Sequence, residues 1–561
     1  MHDLVIRNAR ICDGTGAPAF HGAVGVRNDE IVEVGAHVSS GAQEVDAQGL
    51  VLAPGIIDIH THYDAQITWD PFATPSVGLG VTTVIMGNCG FTIAPCRQAD
   101  RELMLRNLTQ VEGMSLDALR AATRWEFETF PEYLGMLERL GVVPNVAVYC
   151  GHSAVRTWVM GDDASRRAAT DRETAAMKML VREALEAGAI GFATSTFEGH
   201  NGAGGAPMPS RLADERELRE LVGCLGAVGR GVFMLTKGRD TTVSLLEGLA
   251  ADTGRPVMIA ALVYDHADPE FVFTDLAQIR AARERGRRLY GQCPCTPITF
   301  DFTLTGAYLF EALAAWRPAI PLYGTRPALG QLYADPGFRE AVKRELVAPG
   351  AYNRFTDQWH TMTIVEAARP EHKHLELRNV AELAATDGKH PLDWLLDFGA
   401  AEDFGTMFDV QILNSDEDQV RRLLKDPNVT IGLSDAGAHL FLFCDAGFGL
   451  HLLGRWVRER GDFTLEEAVR ALTSVQAEIF GLPDRGVLAV GRKADLFLFD
   501  PATVGRGPKE RAWDLPTGAM RFTTQPRGVH AVWVNGVQVV DESGLIATSS
   551  RPGKVLRRFS A

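Results

Sequence analysis

"PGIIDIHTHYD", residues 54–64, decides how this chain folds and what it holds. An apolar run leads into His60, one spacer and His62, and Asp64 follows. Side chains two apart in a strand share a face. Two imidazoles leaving the end of a buried strand on one side are placed to chelate one divalent ion. A pair of hydrogen-bonded histidines is the ordinary alternative for an arbitrary His-x-His. The buried run before this pair and the acid after it favour the metal.

Working outward, seven more apolar, β-branched runs punctuate the chain: "VTTVIMGNCG", "VPNVAVYCGH", "GAIGFATST", "GVFMLTKG", "PVMIAALVYD", "RLYGQCPC" and "VTIGLSDAG". Helical stretches such as "ETAAMKMLVREALEAG" separate most of them. Continuous apolar strands alternating with helices predict an α/β fold, a (β/α)8 TIM barrel with a parallel sheet buried on both faces. The barrel region runs from about 53 to 485, well beyond the ~250 residues typical of the fold. An insertion is therefore expected around 303–425. Residues 1–52 and 486–561 instead alternate with period two, and "VNGV" is a hairpin signal. Both ends predict one small β-sandwich beside the barrel.

The 561 residues carry a net charge of −15 with no basic tract, which argues against a nucleic-acid or anionic-membrane partner. No apolar run reaches the roughly 18 residues of a membrane span, and the N-terminal stretch lacks the pattern of a signal peptide. Eight scattered cysteines fit reduced thiols in a cytoplasmic protein. A small-molecule substrate is the expected partner, and assembly into a homo-oligomer is compatible with the sequence.

Barrels keep their chemistry at the C-terminal ends of the strands. In "IGLSDAGAH" Asp435 ends the eighth run. A carboxylate there is placed to bind the metal of His60 and His62 and to move a proton. A helix-capping or turn aspartate is the plain alternative.

Together, "PGIIDIHTHYD", "GVTTVIMGNCG", "SDAGAH" and "GLPDRGVLAVGRKADLFLFDP" resemble the amidohydrolase superfamily, and most closely its D-aminoacylase (N-acyl-D-amino-acid deacylase) branch. The resemblance covers nearly the whole chain. It implies His60 and His62 as ligands, Cys89 as a further ligand, Asp435 as catalytic acid/base, and zinc, which suits a thiolate. The pattern then departs. Where members of the branch carry histidines after strands five and six, this chain has Lys237 and Ala261. Three readings of Lys237 stand: a carboxylated metal ligand, a neutral amine acting as base or oxyanion partner, or a cation holding an anionic substrate.

Other residues are substrate candidates. His152 follows strand three. His200, Ser210 and Arg211 lie in the glycine-rich "FEGHNGAGGAPMPSRLA" after strand four, where Arg211 suits a carboxylate. His439 lies four residues past Asp435. His266 is a weaker substitute for the missing strand-six histidine. The function expected is metal-dependent hydrolysis of an amide bond in a small, N-acyl-amino-acid-like molecule. A cyclic-amide hydrolase, a C–C hydrolase or lyase, and a non-catalytic binding barrel are the alternatives.

Overall fold

A computed structural model describes residues 1–311, 313–348, 355, 357–438, 445–547 and 549–560. The eight apolar runs form one parallel sheet: β1 (Ile56–Thr61), β2 (Val81–Met86), β3 (Asn145–Gly151), β4 (Gly191–Ser195), β5 (Val232–Thr236), β6 (Val257–Ala260), β7 (Leu289–Cys293) and β8 (Val429–Ile431), each beside the next. Just past the last strand the sheet closes. The His62 N–H donates to Ala436 O at 2.7 Å and the Asp435 N–H to His60 O at 3.1 Å. Closure thus occurs at the residues expected to carry the chemistry.

Helices lie against the outside: α1 (Arg101–Glu112), α2 (His152–Met160), α3 (Asp171–Ala187), α4 (Glu215–Val228), α5 (Val243–Thr253), α6 (Pro269–Glu284) and α7 (Glu417–Leu424) among them. Local chemistry sets their ends. Thr170 and Glu173 form a reciprocal capping box at the start of α3, and Asp214 caps α4. Helices and sheet share one continuous core.

Both chain ends enter a single nine-stranded sheet, in which Val51–Pro54 runs antiparallel to Leu496–Phe499. This sheet folds around its own core of Leu4, Ile6, Val24, Leu496 and Trp533. Residues past 486 do not all join it. Gly505–Ala512 and Arg521–Arg527 make a separate hairpin, and in the tail Lys554 O accepts from the Val146 N–H while the Leu556 N–H donates to Val146 O. Between β7 and β8 sits an inserted body with its own sheet (Ile298–Phe302, Met407–Leu413, Met362–Glu366) and its own aromatic core. α7 belongs to the barrel instead, because Val420, Leu423 and Leu424 pack into the barrel core. Lys509 of the hairpin braces this body, reaching Asp301 at 2.6 Å and Asp409 at 3.2 Å.

Candidate metal centre

β1 delivers His60 and His62 into the barrel mouth, both buried. β2 ends in a tight turn that presents Cys89 with φ +57°, flanked by Gly87 and Gly90, also at positive φ. A Cβ on Gly90 would lie 2.7 Å from Ala193 O, so the turn needs glycine there for space as well as for dihedral angle. Asn88 fastens the turn by donating to Ile85 O at 2.9 Å. Asp435 also sits in the left-handed region, at φ +48°. Unusual backbone at both chemistry-bearing residues marks a place where side-chain direction outweighs local comfort.

The donors converge. His60 Nε2 lies 3.1 Å from Asp435 Oδ1 and His62 Nε2 lies 3.3 Å from the same oxygen. Cys89 Sγ is 3.5 Å from His60 Nε2 and 4.0 Å from His62 Nε2. Around a tetrahedral zinc, nitrogen and oxygen donors stand roughly 3.3 Å apart and a nitrogen and a sulfur roughly 3.5 Å. These residues therefore fit a zinc-sized ion. His60, His62 and Cys89 are the one metal-competent cluster of this kind among the described residues. The side chain of Asp435 is 16% exposed against 2% for His60, so Asp435 is the donor on the open side.

Charge is shared across the cluster. Burial works against protonating His60, but the Cys89 thiolate and Asp435 outweigh it and push the imidazole up to about 10. Burial likewise raises the Cys89 thiol, yet His60 and His62 bring it below its ordinary value. Such a pocket favours positive charge among its donors, which a divalent ion supplies as the ring protons leave. Burial pushes the neighbouring Asp58 and Asp64 up to about 7.

Three contributors were not visible in the sequence pattern. Gln292, at the end of β7, accepts from His60 Nδ1 at 2.8 Å. Glu112, at the end of α1, places Oε1 3.0 Å from His62 Nδ1, out of line for a hydrogen bond. Thr236, the last residue of β5, donates from Oγ1 to Cys89 Sγ at 3.1 Å. A polar residue at a barrel strand's C-terminal end is the signal for Gln292, which is buried, and for Thr236, which is half-buried. Nothing local marks Glu112.

Lys237 requires correction. The inward position at the end of β5 is taken by Thr236, so Lys237 turns to the outer layer. Its Nζ lies 3.0 Å from Asp275 Oδ2 on α6 and 4.7 Å from the Phe271 ring centre. His152 is also corrected, since both ring nitrogens are spent inside the protein: Nδ1 on Thr194 Oγ1 and Nε2 on Glu217 Oε1, each at 2.8 Å. His200 does come near. Its ring packs on Phe91 with centres 4.9 Å apart, and Phe91 in turn lies 6.4 Å from His62. Ser195 Oγ holds His200 Nδ1 at 2.6 Å. Ser210 is buried and donates to Ser195 O, while Arg211 braces its own loop through His200 O and Asn201. His439 lies outside the described residues.

Space is scarce on the His62 side of the cluster. Phe91, Leu108, Met114 and Leu119 close the His62 side, leaving a cavity of about 10 Å³. A cleft of about 620 Å³ lies between the inserted body and the barrel, lined by His266, His360, His451 and Arg506. His266 therefore faces this cleft and does not replace the missing strand-six ligand.

The model of the amidohydrolase family matches residues 43–292 and 348–540. The chain is 31% identical to N-acyl-D-aspartate deacylase of Alcaligenes xylosoxydans xylosoxydans over 99% of this chain and 95% of the relative. It is 30% identical to D-aminoacylase of the same organism over 100% of this chain and 98% of the relative. Among solved structures it superposes on N-acyl-D-glutamate deacylase of Bordetella bronchiseptica, complexed with zinc and a phosphonate inhibitor, with TM-score 0.66, 26% identity and 99% and 100% of the two chains covered.

Proposed function

Because the chain belongs to the amidohydrolase family, we propose that it hydrolyses the amide bond of an N-acyl amino acid at the cluster of His60, His62, Cys89 and Asp435, with zinc as its ion. It is a hydrolase of carbon–nitrogen bonds other than peptide bonds. The observation that carries the finer reading is the convergence of two imidazoles, a thiolate and a carboxylate at tetrahedral spacing. Zinc is preferred because a thiolate is a soft ligand.

When bound, such an ion polarises the substrate carbonyl and makes water a stronger nucleophile. The chain's own residues do the rest. His60, His62 and Cys89 form a buried three-donor floor, the arrangement that leaves a position open toward substrate. Asp435, on the open side, accepts the proton of the attacking water and returns it to the leaving nitrogen. Its Oδ1 lies within 3.3 Å of both ring nitrogens, so little movement is needed. Thr236 steadies the thiolate through its hydroxyl. With the His62 side filled and Asp435 the more exposed donor, substrate enters past Asp435, and His200 from the β4 loop packs on Phe91. The seven described cysteines are all unpaired, which supports a reducing, cytoplasmic setting. No helix among the described residues is long and apolar enough to cross a membrane.

The test is a screen of N-acetyl-D- and L-amino acids, beginning with D-aspartate, D-glutamate and D-methionine, on zinc-loaded and chelator-stripped protein. Release of acetate that vanishes on stripping and returns with zinc is the expected result. Equal activity in stripped protein, or no acetate from any member of the series, would overturn the proposal.

A further inference from the structure

An imidazole can turn only one nitrogen toward an ion, and the tautomer decides whether that nitrogen carries a lone pair. In the cluster both Nε2 atoms converge with Cys89 and Asp435, so both Nδ1 atoms must hold the protons. For His62 the group facing Nδ1 is a carboxylate, Glu112. For His60 it is a neutral amide, Gln292. We propose that Gln292 is the positioning residue that commits His60 to its metal-binding tautomer.

Three observations carry this. The contact of 2.8 Å joins two side chains that are 0% and 2% exposed, so water cannot substitute for the amide oxygen. Gln292 Nε2 has no hydrogen-bond partner among the described residues. An orphaned buried donor costs about 1–3 kcal/mol. A glutamine chosen for packing would be replaced at less cost by leucine or methionine, so the demand comes from His60. Finally, the surroundings already hold several buried acids: Asp58, Asp64, Glu112 and the Cys89 thiol. An amide supplies an acceptor oxygen to Nδ1 without adding another buried negative charge. If the amide presented Nε2 instead, Nδ1 would have to accept, the proton would move to the metal-facing nitrogen, and His60 would be lost as a ligand.

The inference rests on the proposed metal reading, and its readout is binding rather than turnover. Zinc affinity is measured on chelator-stripped protein at pH 8 by competition with a chromophoric chelator, for wild type, Gln292→Leu, Gln292→Met and Gln292→Glu. Melting temperatures of the stripped proteins report folding. We expect Gln292→Leu and Gln292→Met to bind zinc about 10–100-fold more weakly, the usual cost of losing a group that orients a ligand. Gln292→Glu keeps an acceptor oxygen at the same reach and should recover to within about fivefold of wild type, a factor worth about 1 kcal/mol. A merely structural role predicts the reverse order, with the apolar variants binding normally and the glutamate worst. Leu and Met variants that bind like wild type, or a Glu variant no better than they are, would overturn the inference alone. A wild-type chain that takes up no zinc would overturn the metal reading together with it.

Discussion

His60 and His152 are both fully buried histidines at the C-terminal end of a barrel strand, and they do opposite things. His152 opens α2 with both nitrogens closed by protein partners, Thr194 and Glu217, and Arg156 pairs with the same glutamate. His60 has one nitrogen closed by Gln292 and the other turned toward two further donors, Cys89 and Asp435. Burial depresses His152, with the nearby Arg156 adding to it and Glu217 working against it. The Cys89 thiolate and Asp435 override the same burial at His60. A histidine satisfied on both sides is a strut. A histidine satisfied on one side, with its second nitrogen meeting a thiolate and a carboxylate, is placed to be a ligand. Burial alone does not separate the two.

The strongest way to break this distinction is to remove each. His60→Ala and His62→Ala should each abolish tight zinc binding and lower kcat/KM by at least about 10³-fold, roughly 4 kcal/mol of barrier. Metal analysis alongside initial rates checks this. His152→Gln should keep full zinc content, because the strut touches no donor. Its cost should appear in denaturant unfolding as about 1–3 kcal/mol, since Glu217 and Thr194 lose a buried partner. If His152→Gln lost its zinc, or His60→Ala kept it, the comparison would fail. Cys89→Ser sits between them: a hard hydroxyl replaces a soft thiolate, so zinc affinity should fall at least about tenfold, or 1.4 kcal/mol.

How much of this was legible in the sequence follows from the same physics. The eight strands stood out because a parallel sheet buried on both faces requires continuous apolar runs. His60 and His62 stood out because a two-residue spacing fixes a shared face whatever the phase. Asp435 was legible as the polar end of the last run. Gln292 and Glu112 were not, because they reach the histidines from elements about 230 and 50 residues away in the chain. The inserted body was visible as excess length, but its edges were not. "EDQVRRLL" has the pattern of any amphipathic helix, and only packing assigns α7 to the barrel. Lys237 exposes the limit most clearly. A strand apolar on both faces carries no alternation, so nothing in "VFMLTKG" fixes whether Thr236 or Lys237 turns inward.

A third histidine sharpens the comparison through pH. His451 lies on the wall of the large cleft, and burial, helped by Arg506 and Arg455 and opposed by Glu417, brings it down to about 3. It is neutral when folded and titrates near 6.5 when unfolded. Below pH 6.5 the unfolded chain therefore binds the extra proton, and stability falls as pH drops toward 3. At pH 5 this single group should contribute a loss of about 2 kcal/mol. His451→Gln removes the titration, so the wild-type-minus-variant difference in unfolding free energy should decline between pH 7 and pH 5. A flat difference would show that His451 is as easily protonated in the folded chain as in the unfolded one.

The smallest effect on activity is expected at Lys237, and it tests the phase of β5 directly. Thr236 and Lys237 are neighbours whose side chains part at the barrel wall, one to Cys89 Sγ and the other to Asp275 on α6. The Lys237 side chain is 7% exposed and that of Asp275 11%, so the pair is largely removed from water. Lys237→Met keeps the stem over Phe271 and deletes the charge, leaving Asp275 without its cation. Breaking such a pair from one side should cost about 1–3 kcal/mol in unfolding free energy. The donors of the metal centre do not include Lys237, so zinc content should not change and kcat/KM should stay within about threefold of wild type, under about 0.7 kcal/mol. Thr236→Val does the converse: it keeps shape and stability but removes the hydroxyl that donates to Cys89, and should lower zinc affinity more than Lys237→Met does. If the methionine variant lost activity while the valine variant did not, β5 would have to be turned by one residue, and Lys237 would face the mouth after all.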